Sequence, residues 1–358
     1  SDNGAGAIII RSPEVLLVQA RFQADNFGAG GAGMVSIEAD TLVFDETNIR
    51  VEANGAPGAR LGLVRLKAAG DLRLTNSIVT SNTNGQADGG IVEIAGRDVR
   101  FEDSRVQSDT IGLAEGAAGR VAVKADTLLV RNGLISSSSN SLGTGGDVVL
   151  EARTITLDTS AGIRSDASDQ GDAGQVTVKA GAVSVLEGAS ITSRAQGGTG
   201  NAGTVSIDAD SLTVVDGRIS SGTTGQGDAG VVSIRAGQLL LDAERRDQTF
   251  ITSETLGAGD AGGIFIDARS IVIRNGASIA SDTFDTGHAG EVTLRTDSLT
   301  VQDGGFVSSD SFGDGDSGNV NITAAKLLVQ GNGSDLTFIS SDALGAGKAG
   351  AVTLDAKS

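Results

Sequence analysis

The sequence contains no cysteine, tryptophan or tyrosine, and only one histidine and two prolines among its 358 residues. The lack of cysteine excludes disulfides, thiolate nucleophiles and cysteine-ligated zinc or iron–sulfur centres. The lack of tryptophan and tyrosine removes two aromatic side chains that combine a large ring with a polar group. No run of about 18 apolar residues occurs, so no segment is expected to span a membrane as a helix.

Basic residues are also scarce, because 27 Lys and Arg stand against 45 Asp and Glu and give a net charge of −18. Phosphate backbones need a basic surface, so nucleic acid is not an expected partner. Docking on anionic lipid by charge alone is disfavoured for the same reason. Glycine, in contrast, is abundant, with 53 residues, about twice its usual share.

A short motif, Gly-x-(Val/Ile)-x-(Ile/Leu/Val), recurs along the whole chain. Its thirteen copies lie 27–32 residues apart, and the twelve full intervals fill 344 residues. Repetition with such a period predicts a solenoid or an array rather than an ordinary globular domain. The glycines that open the copies are Gly6, Gly33, Gly62, Gly90, Gly119, Gly146, Gly174, Gly203, Gly230, Gly262, Gly290, Gly318 and Gly350.

Each copy contains three short stretches in which apolar and polar residues alternate. In the copy that opens at Gly203 they are 205–207, 212–214 and 219–221. Alternation with period two indicates strands, and the glycine-rich corners between them are expected to adopt the positive φ of tight turns. We therefore predict an all-β fold, a single right-handed parallel β-helix (a solenoid) with three strands per coil and about 12–13 coils of about 28 residues. It should run continuously over residues 1–358.

Two columns of side chains are expected to run along the coils. The residue five positions after each repeat glycine is expected to point outward. From Glu151 to Arg295 the charge of this residue alternates in sign from one coil to the next. Opposite charges on adjacent strands would fix the register. Two residues after the inward aliphatic residue of the third strand stands an inward serine, expected to close the corner as a hydroxyl ladder because a buried hydroxyl needs a partner. These serines are Ser81, Ser108, Ser137, Ser165, Ser193, Ser221, Ser253, Ser281, Ser309 and Ser341.

The run Gly-x-Gly-(Asp/Asn)-Ala-Gly-x-Val-x-Ile-x-Ala, followed by Leu-x-Val and Ile-x-Ser, resembles the repeats of filamentous-haemagglutinin-like exoproteins. These are the large β-helical substrates of two-partner secretion, and the resemblance covers essentially the whole chain. It implies export through an outer-membrane two-partner transporter, an extracellular or bacterial cell-surface location, and a place in an adhesin, a filament or a toxin stalk. The family's amino-terminal secretion domain is not recognisable here, so we expect a segment of a longer solenoid or filament.

The two ends of the sequence support the same expectation. The chain opens inside a corner and stops after a first strand at Leu354, without the polar caps that solenoids need. Open β-edges pair readily with other chains. Flanking solenoid coils or end-to-end self-association are therefore the expected contacts.

The best candidate site is a stack of acids, one in each of four successive coils. Like charges about 5 Å apart repel each other, and calcium prefers clustered carboxylate oxygens. Two interpretations stay open: a solvated ladder without any cofactor, which we favour, and a calcium site. The four residues are Glu254, Asp282, Asp310 and Asp342.

Acids also recur two residues before the repeat glycine, at the corner of several coils. Calcium is again an alternative, but a solvated corner is favoured because Lys348 occupies the same position in another coil. His288 occupies it too and is expected on a polar corner without a catalytic partner. The corner acids are Asp88, Asp172, Asp228, Asp260 and Asp316.

Four phenylalanines are candidates for contact with a partner. Phe265 falls on an outward position of a first strand, whereas Phe250, Phe306 and Phe338 stand at the start of third strands. We favour the interpretation that short insertions near 243–247 and 331–334 fold over Phe250 and Phe338. The alternative is an exposed stripe that contacts a partner, for which a host, cell or surface glycan is the candidate.

We predict that the chain is a structural stalk or filament segment of a secreted, adhesin-like surface protein that serves cell adhesion without catalysis. A ligand- or receptor-binding adhesin face is the first alternative. A β-helix polysaccharide-degrading enzyme is the second and is favoured least. Such an enzyme needs a groove walled by long loops, and the largest insertions here have only about four residues.

Overall fold

A computed structural model describes residues 4–28, 30–56, 58–112, 115–140, 142–244, 249–333 and 335–356. This part of the chain is built of parallel β-strands and contains no α-helix. The strands stack as a β-solenoid of about twelve coils of roughly 28 residues, which confirms the predicted fold class. Contacts divide the chain into two compact units, Ser1–Thr177 and Val178–Ser358, which are described separately. That the β-helix runs continuously over residues 1–358 and that it is right-handed stay predictions.

In the first unit each of the first five coils has three separate strands, as predicted. Equivalent residues pair from coil to coil, as in Val35 with Val64 and Val92 with Val121. The strands are β1 (Ala7–Arg11), β2 (Glu14–Val18), β3 (Arg21–Gln23), β4 (Met34–Ala39), β5 (Thr41–Asp45), β6 (Asn48–Arg50), β7 (Leu63–Ala68), β8 (Asp71–Thr75), β9 (Ile78–Thr80), β10 (Ile91–Ala95), β11 (Asp98–Glu102), β12 (Arg105–Gln107), β13 (Arg120–Lys124), β14 (Thr127–Arg131), β15 (Leu134–Ser136), β16 (Asp147–Asp158), β17 (Gly162–Arg164) and β18 (Ala167–Ser168).

From β16 to β29 the first two stretches of each coil run on as one strand of 11 or 12 residues. The pairing of β21 with β23 skips one residue at the bend, Asp210 beside Gly237. The bend therefore interrupts neither strand. The remaining strands are β19 (Val176–Leu186), β20 (Ser190–Gln196), β21 (Val205–Val215), β22 (Arg218–Thr223), β23 (Val232–Asp242), β24 (Phe250–Thr255), β25 (Ile264–Arg274), β26 (Ser278–Thr283), β27 (Val292–Gln302), β28 (Phe306–Ser308), β29 (Val320–Gln330), β30 (Phe338–Ser340) and β31 (Val352–Ala356).

The core consists mainly of aliphatic side chains stacked on their own kind. In the coil of β21 the residues predicted to point inward, among them Val205, Ile207 and Leu212, are all buried. The same side chains pair with Val232, Ile234 and Leu239 of the next coil. Burial of each such side chain stabilises the fold by about 1.5–3 kcal/mol. The first unit also buries two aromatic side chains, Phe44 and Phe101.

The serine ladder is confirmed, and in the second unit its hydroxyls close corners onto the repeat glycines. Ser221 is fully buried, and its hydroxyl donates to the Gly203 carbonyl at 2.6 Å and accepts from the Gly230 N–H at 3.1 Å. Ser253, Ser281, Ser309 and Ser341 make the same two bonds. Each hydroxyl thus connects the glycine of its own coil with that of the next.

The serines of the first unit differ from this pattern. The Ser108 and Ser137 hydroxyls donate to the Gly90 and Gly119 carbonyls, but the N–H groups of Gly119 and Gly146 donate to the serine backbone carbonyls rather than to the hydroxyls. The Ser81 hydroxyl is buried but has no hydrogen-bond partner among the described residues. The neighbouring N–H of Gly90 instead donates to the Ser81 backbone carbonyl at 2.8 Å. Ser81 therefore occupies the ladder position without making the two hydroxyl bonds of Ser221.

The expectation that the corner glycines adopt positive φ is wrong for the repeat positions. Gly227, Gly230 and their equivalents are not among the glycines with positive φ. They are glycine because a Cβ on Gly230 would overlap the Gly203 carbonyl oxygen of the preceding coil. Close stacking of one corner on the next, rather than turn conformation, requires glycine here.

The expectation holds at other corner glycines, Gly58, Gly112, Gly197 and Gly198, which have positive φ. Positive φ also occurs at the turn between the second and third strands, mostly on residues other than glycine. Asn and Asp tolerate this conformation best because their short side chains bond locally. Thr159, with φ 50°, is a β-branched exception. The Asn and Asp residues in this conformation next to a third strand are Asn76, Asp103, Asn132, Asp216, Asn275 and Asp303.

The outward charge ladder has the predicted register within each unit. In the first unit Glu38 forms ion pairs with Arg11 at 3.8 Å and Lys67 at 3.0 Å, and the Lys67 hydrogen bond lowers the pKa of Glu38. Lys124 and Glu151 lie 3.6 Å apart. These pairs are exposed and hold the register more than they stabilise the fold.

Candidate functional site

The four predicted acids come together as one column on the third-strand sheet of the second unit. Glu254 pairs directly with Asp282 across β24 and β26. The Asp310 N–H donates to Asp282 Oδ1 at 3.0 Å, and the Asp342 N–H donates to Asp310 Oδ1 at 2.8 Å. We call Glu254, Asp282, Asp310 and Asp342 the carboxylate column. Each of its two central carboxylates is held by the backbone of the following coil.

Burial and like charge act together on this column. Desolvation is the larger cause and raises the pKa of Asp282 to about 7, with Asp310 and Glu254 adding to the effect. Desolvation also raises the pKa of Asp310, and Asp342 adds to it. No lysine or arginine of the described residues forms an ion pair with the column. Its central members can therefore relieve their repulsion by taking up a proton.

A metal is not required to explain how the column is held. Among the residues that the structure describes, no group of three or more His, Cys, Asp or Glu side chains is arranged to hold a metal ion. The backbone N–H groups donate hydrogen bonds to the carboxylates and so provide part of the stabilisation that a bound cation would provide. Calcium binding at the carboxylate column stays a prediction.

The same position forms a ladder in the first unit, where acids alternate with neutral acceptors. The Asp109 N–H donates to Asn82 Oδ1 at 2.9 Å, and the Ser138 N–H donates to Asp109 Oδ1 at 2.8 Å. The Asp166 N–H donates to the Ser138 hydroxyl at 3.1 Å. To hold the backbone N–H of the next coil, this position needs only a short side chain with an acceptor atom. Sequence reasoning missed this ladder, although the residue after each inward serine gave the signal.

The corner acids form a second ladder of the same kind. The Asp260 N–H donates to Asp228 Oδ1 at 2.9 Å, and the His288 N–H donates to Asp260 Oδ1 at 2.7 Å. His288 continues the ladder, because its Nδ1 accepts from the Asp316 N–H at 2.9 Å. The imidazole therefore needs a free lone pair on Nδ1 and serves as a structural acceptor, a role that the sequence did not reveal.

Phe265 points outward from β25, as predicted, and 42% of its surface is exposed. Its ring folds down over Gly263, where the ring atoms Cε2 and Cζ occupy the space of a side chain. Beside it lies a shallow depression of about 340 Å³. The exposed charge-ladder residues that line the depression are Asp208, Arg235, Asp267 and Arg295.

The other three phenylalanines lie on the third-strand sheet and do not form one surface with Phe265. The rings of Phe306 and Phe338 stack at 4.9 Å, nearly parallel, whereas Ser278 separates Phe250 from Phe306. Phe250 and Phe306 are half-buried, and Phe338 is 37% exposed. Residues 245–248 and 334 of the two insertions lie outside the described residues, so covering of the rings by these insertions stays a prediction.

The most exposed apolar side chains of this sheet were missed by the sequence analysis. They stand two residues after the carboxylate column, one in each of the same four coils. We call them the apolar stripe; its members are Leu256, Phe284, Phe312 and Leu344.

Comparisons of the chain with known proteins find no match. No family model, curated protein or solved structure matches the chain. Among the described residues no helix has the length and apolar character to cross a bilayer. The site therefore has to be interpreted from its own geometry.

Proposed function

We propose that the chain is a structural segment of an extracellular stalk or filament, part of a secreted, adhesin-like surface protein, with no catalysis of its own. The observation that supports this best is that successive coils are joined by the same axial bonds throughout each unit. Backbone pairing, the serine ladder and the two acceptor ladders all run from coil to coil. A fold held in this way resists being pulled apart along its axis.

The strength of one coil-to-coil junction can be read from the pairing. Ten residue pairs join β23 to β25 and six join β24 to β26. These bonds lie along the axis, so all of them must break before two coils are separated. The Ser253 and Ser281 hydroxyls add side-chain bonds to the same region of the molecule.

The remaining features fit an exported protein. The net charge of −18 keeps such segments soluble and limits lateral clumping. The repeats resemble those of filamentous-haemagglutinin-like exoproteins, which leads us to propose passage through an outer-membrane two-partner transporter and residence at the bacterial cell surface. Neighbouring coils of a longer solenoid, or a further copy end to end, are the proposed structural contacts.

A ligand-binding adhesin face is a second candidate function, which the depression beside Phe265 favours. An exposed ring flanked by two carboxylates and two guanidinium groups offers an apolar patch with hydrogen-bond donors and acceptors around it. Surface glycans present this combination of C–H faces and hydroxyls. Binding of glycans to the purified protein and to Phe265→Ala tests this role, with Thr213→Ala, a half-buried position of β21 that does not line the depression, as the control.

The mechanical proposal is tested by pulling single molecules. Gly6→Cys places an attachment point where a Cβ has open space, and Gly331→Cys places one where a Cβ would make only ordinary contacts of 3.5 Å or more. No native thiol competes. We expect coils to detach in steps of about 95 Å each, because 28 residues extend by about 3.4 Å apiece. Extension without steps at low force would contradict the stalk proposal.

The proposed location at the cell surface is tested separately. On intact cells that carry the gene, an antibody should label the protein, and added protease should remove the label. Labelling only after lysis would refute the surface location, and cleavage of an acidic polysaccharide by the pure chain would refute the absence of catalysis.

A further inference from the structure

The apolar stripe is a regular surface feature that the stalk function does not use. Leu256 is 51% exposed, Phe284 and Phe312 are each 44% exposed, and Leu344 is 65% exposed. The two phenylalanine rings stack face to face at 4.8 Å with 7° between their planes. Four large apolar side chains thus stand in a row, one per coil, along one line of the second unit.

The row is kept straight by the backbone on its inner side. The Phe284 N–H donates to the Thr255 carbonyl at 3.0 Å, and the Phe312 N–H donates to the Thr283 carbonyl at 2.8 Å. The Leu344 N–H donates to the Ser311 carbonyl at 2.8 Å in the same way. The stripe is therefore preorganised and does not depend on a flexible loop.

Acids border the stripe on both sides. The carboxylate column lies two residues earlier in each coil, about 6.7 Å away along the strand. The segments 254–260, 282–288, 310–316 and 342–348 together hold eight Asp and Glu, against one Lys and one His. The acids on the corner side are Asp260, Asp285, Asp314 and Asp316.

We propose that the apolar stripe docks a basic amphipathic α-helix of a partner protein. The partner must offer apolar side chains to the stripe and positive charge to both borders. A helix provides this, because residues at i, i+4 and i+7 form an apolar seam that basic residues can flank on either side. This inference does not rest on the stalk proposal.

The spacing of the stripe favours a helix over an extended strand. Successive turns of a helix are 5.4 Å apart, close to the 4.8 Å between Phe284 and Phe312. Same-face residues of a strand are about 6.7 Å apart and would fall out of step with the coils. A second copy of the chain would place acids against acids.

The test uses synthetic peptides of 18 residues with a fluorescent label, read by fluorescence anisotropy against the whole chain. The first peptide carries a leucine seam flanked by lysines, the second has the same composition in scrambled order, and the third replaces lysine with glutamate. We expect the amphipathic lysine peptide to bind at least tenfold more tightly than either of the others. Equal binding of the scrambled peptide would reduce the effect to charge and overturn the proposal.

The matched variants are Phe284→Ser with Phe312→Ser, and Leu328→Ser as the control. Leu328 is 47% exposed, much like the two phenylalanines, but lies on strand β29 and not on the apolar stripe. We expect the double variant to weaken peptide binding at least tenfold and the control to leave it unchanged, with both proteins keeping the wild-type circular dichroism. Unchanged binding by the double variant would refute the proposal. So would sedimentation of the free wild type as a dimer that the double variant abolishes, since a second copy would then cover the stripe.

Discussion

Removing the hydroxyl of Ser221 tests whether the serine ladder stabilises the fold. The Ser221→Ala variant leaves two buried backbone groups, the Gly203 carbonyl and the Gly230 N–H, without the bonds that the hydroxyl makes at 2.6 Å and 3.1 Å. Each buried backbone group that loses its partner costs about 1–3 kcal/mol. We therefore expect the free energy of unfolding to fall by about 2–6 kcal/mol.

Water is not expected to repair the loss. The side chain of Ser221 is fully buried, and deletion of one oxygen leaves less room than a water molecule needs. The surrounding glycines leave no side chain that could turn into the gap. The cost should therefore lie well above that of an ordinary surface serine.

Ser81 offers the matched control, because it occupies the same ladder position. Its buried hydroxyl has no partner among the described residues, so Ser81→Ala removes a buried polar group that makes no bond. Replacement of such a group should be neutral or slightly stabilising. Ser233→Ala, at a half-buried outward position of the second unit, controls for the loss of a serine as such.

Urea unfolding followed by circular dichroism measures all three variants against the wild type. Because Ser81 and Ser221 belong to different units, hydrogen exchange of the amides around each site accompanies it and reports local opening. Equal destabilisation by Ser81→Ala and Ser221→Ala would refute the reasoning. The ladder would then contribute by packing, not by hydrogen bonds.

Four further predictions concern single positions. Gly259→Ala should destabilise by at least about 1–3 kcal/mol in urea unfolding, since its Cβ would overlap the Gly227 carbonyl oxygen, whereas Gly331→Ala should not, since its Cβ would make only ordinary contacts of 3.5 Å or more. Thr159→Asn should raise the unfolding free energy by up to about 1 kcal/mol, because Asn tolerates the positive φ better than a β-branched residue; a loss of stability would contradict this. The pKa of Asp282 is about 7 in the folded chain against an ordinary 3.8, so its protonation stabilises the fold at low pH, and this contribution should decline as pH rises from about 4 to 7. Asp282→Asn should flatten the dependence of the unfolding free energy on pH in this range. An unchanged dependence would show that other groups cause it. If calcium binds the carboxylate column, millimolar Ca²⁺ should raise the melting temperature of the wild type and not that of Asp282→Asn with Asp310→Asn, and equal shifts would place any calcium elsewhere.

The sequence was sufficient to predict those features that repeat at each coil. The alternation around Val205 and Ile207 predicted which side chains are buried, and the recurring serine at Ser221 predicted the ladder. Both predictions depend only on the period of the chain and on which face each residue takes. They needed no knowledge of which atoms meet between coils.

The contacts between coils could not be predicted in the same way. The glycine at Gly230 is explained by a carbonyl oxygen 27 residues earlier, not by its own turn. The stacked acids Asp282 and Asp310 suggested repulsion and a cation, but the nearest partner of each carboxylate is a backbone N–H of the next coil. Charge can be read from residue type, whereas a backbone donor becomes visible only when the coils are stacked.

These contacts also show where a partner can act on such a fold. The glycine and serine positions tolerate little change, because one must lack a Cβ and the other must carry a hydroxyl of fixed reach. The acceptor positions tolerate Asn, Asp or Ser, since any short acceptor holds the next N–H. Outward residues such as Phe265 and Phe312 take part in none of these ladders. The rings of Phe284 and Phe312 stack on each other between coils, but each side chain still leaves 44% of its surface exposed. This exposed apolar surface along the stripe is better explained by a partner than by the fold.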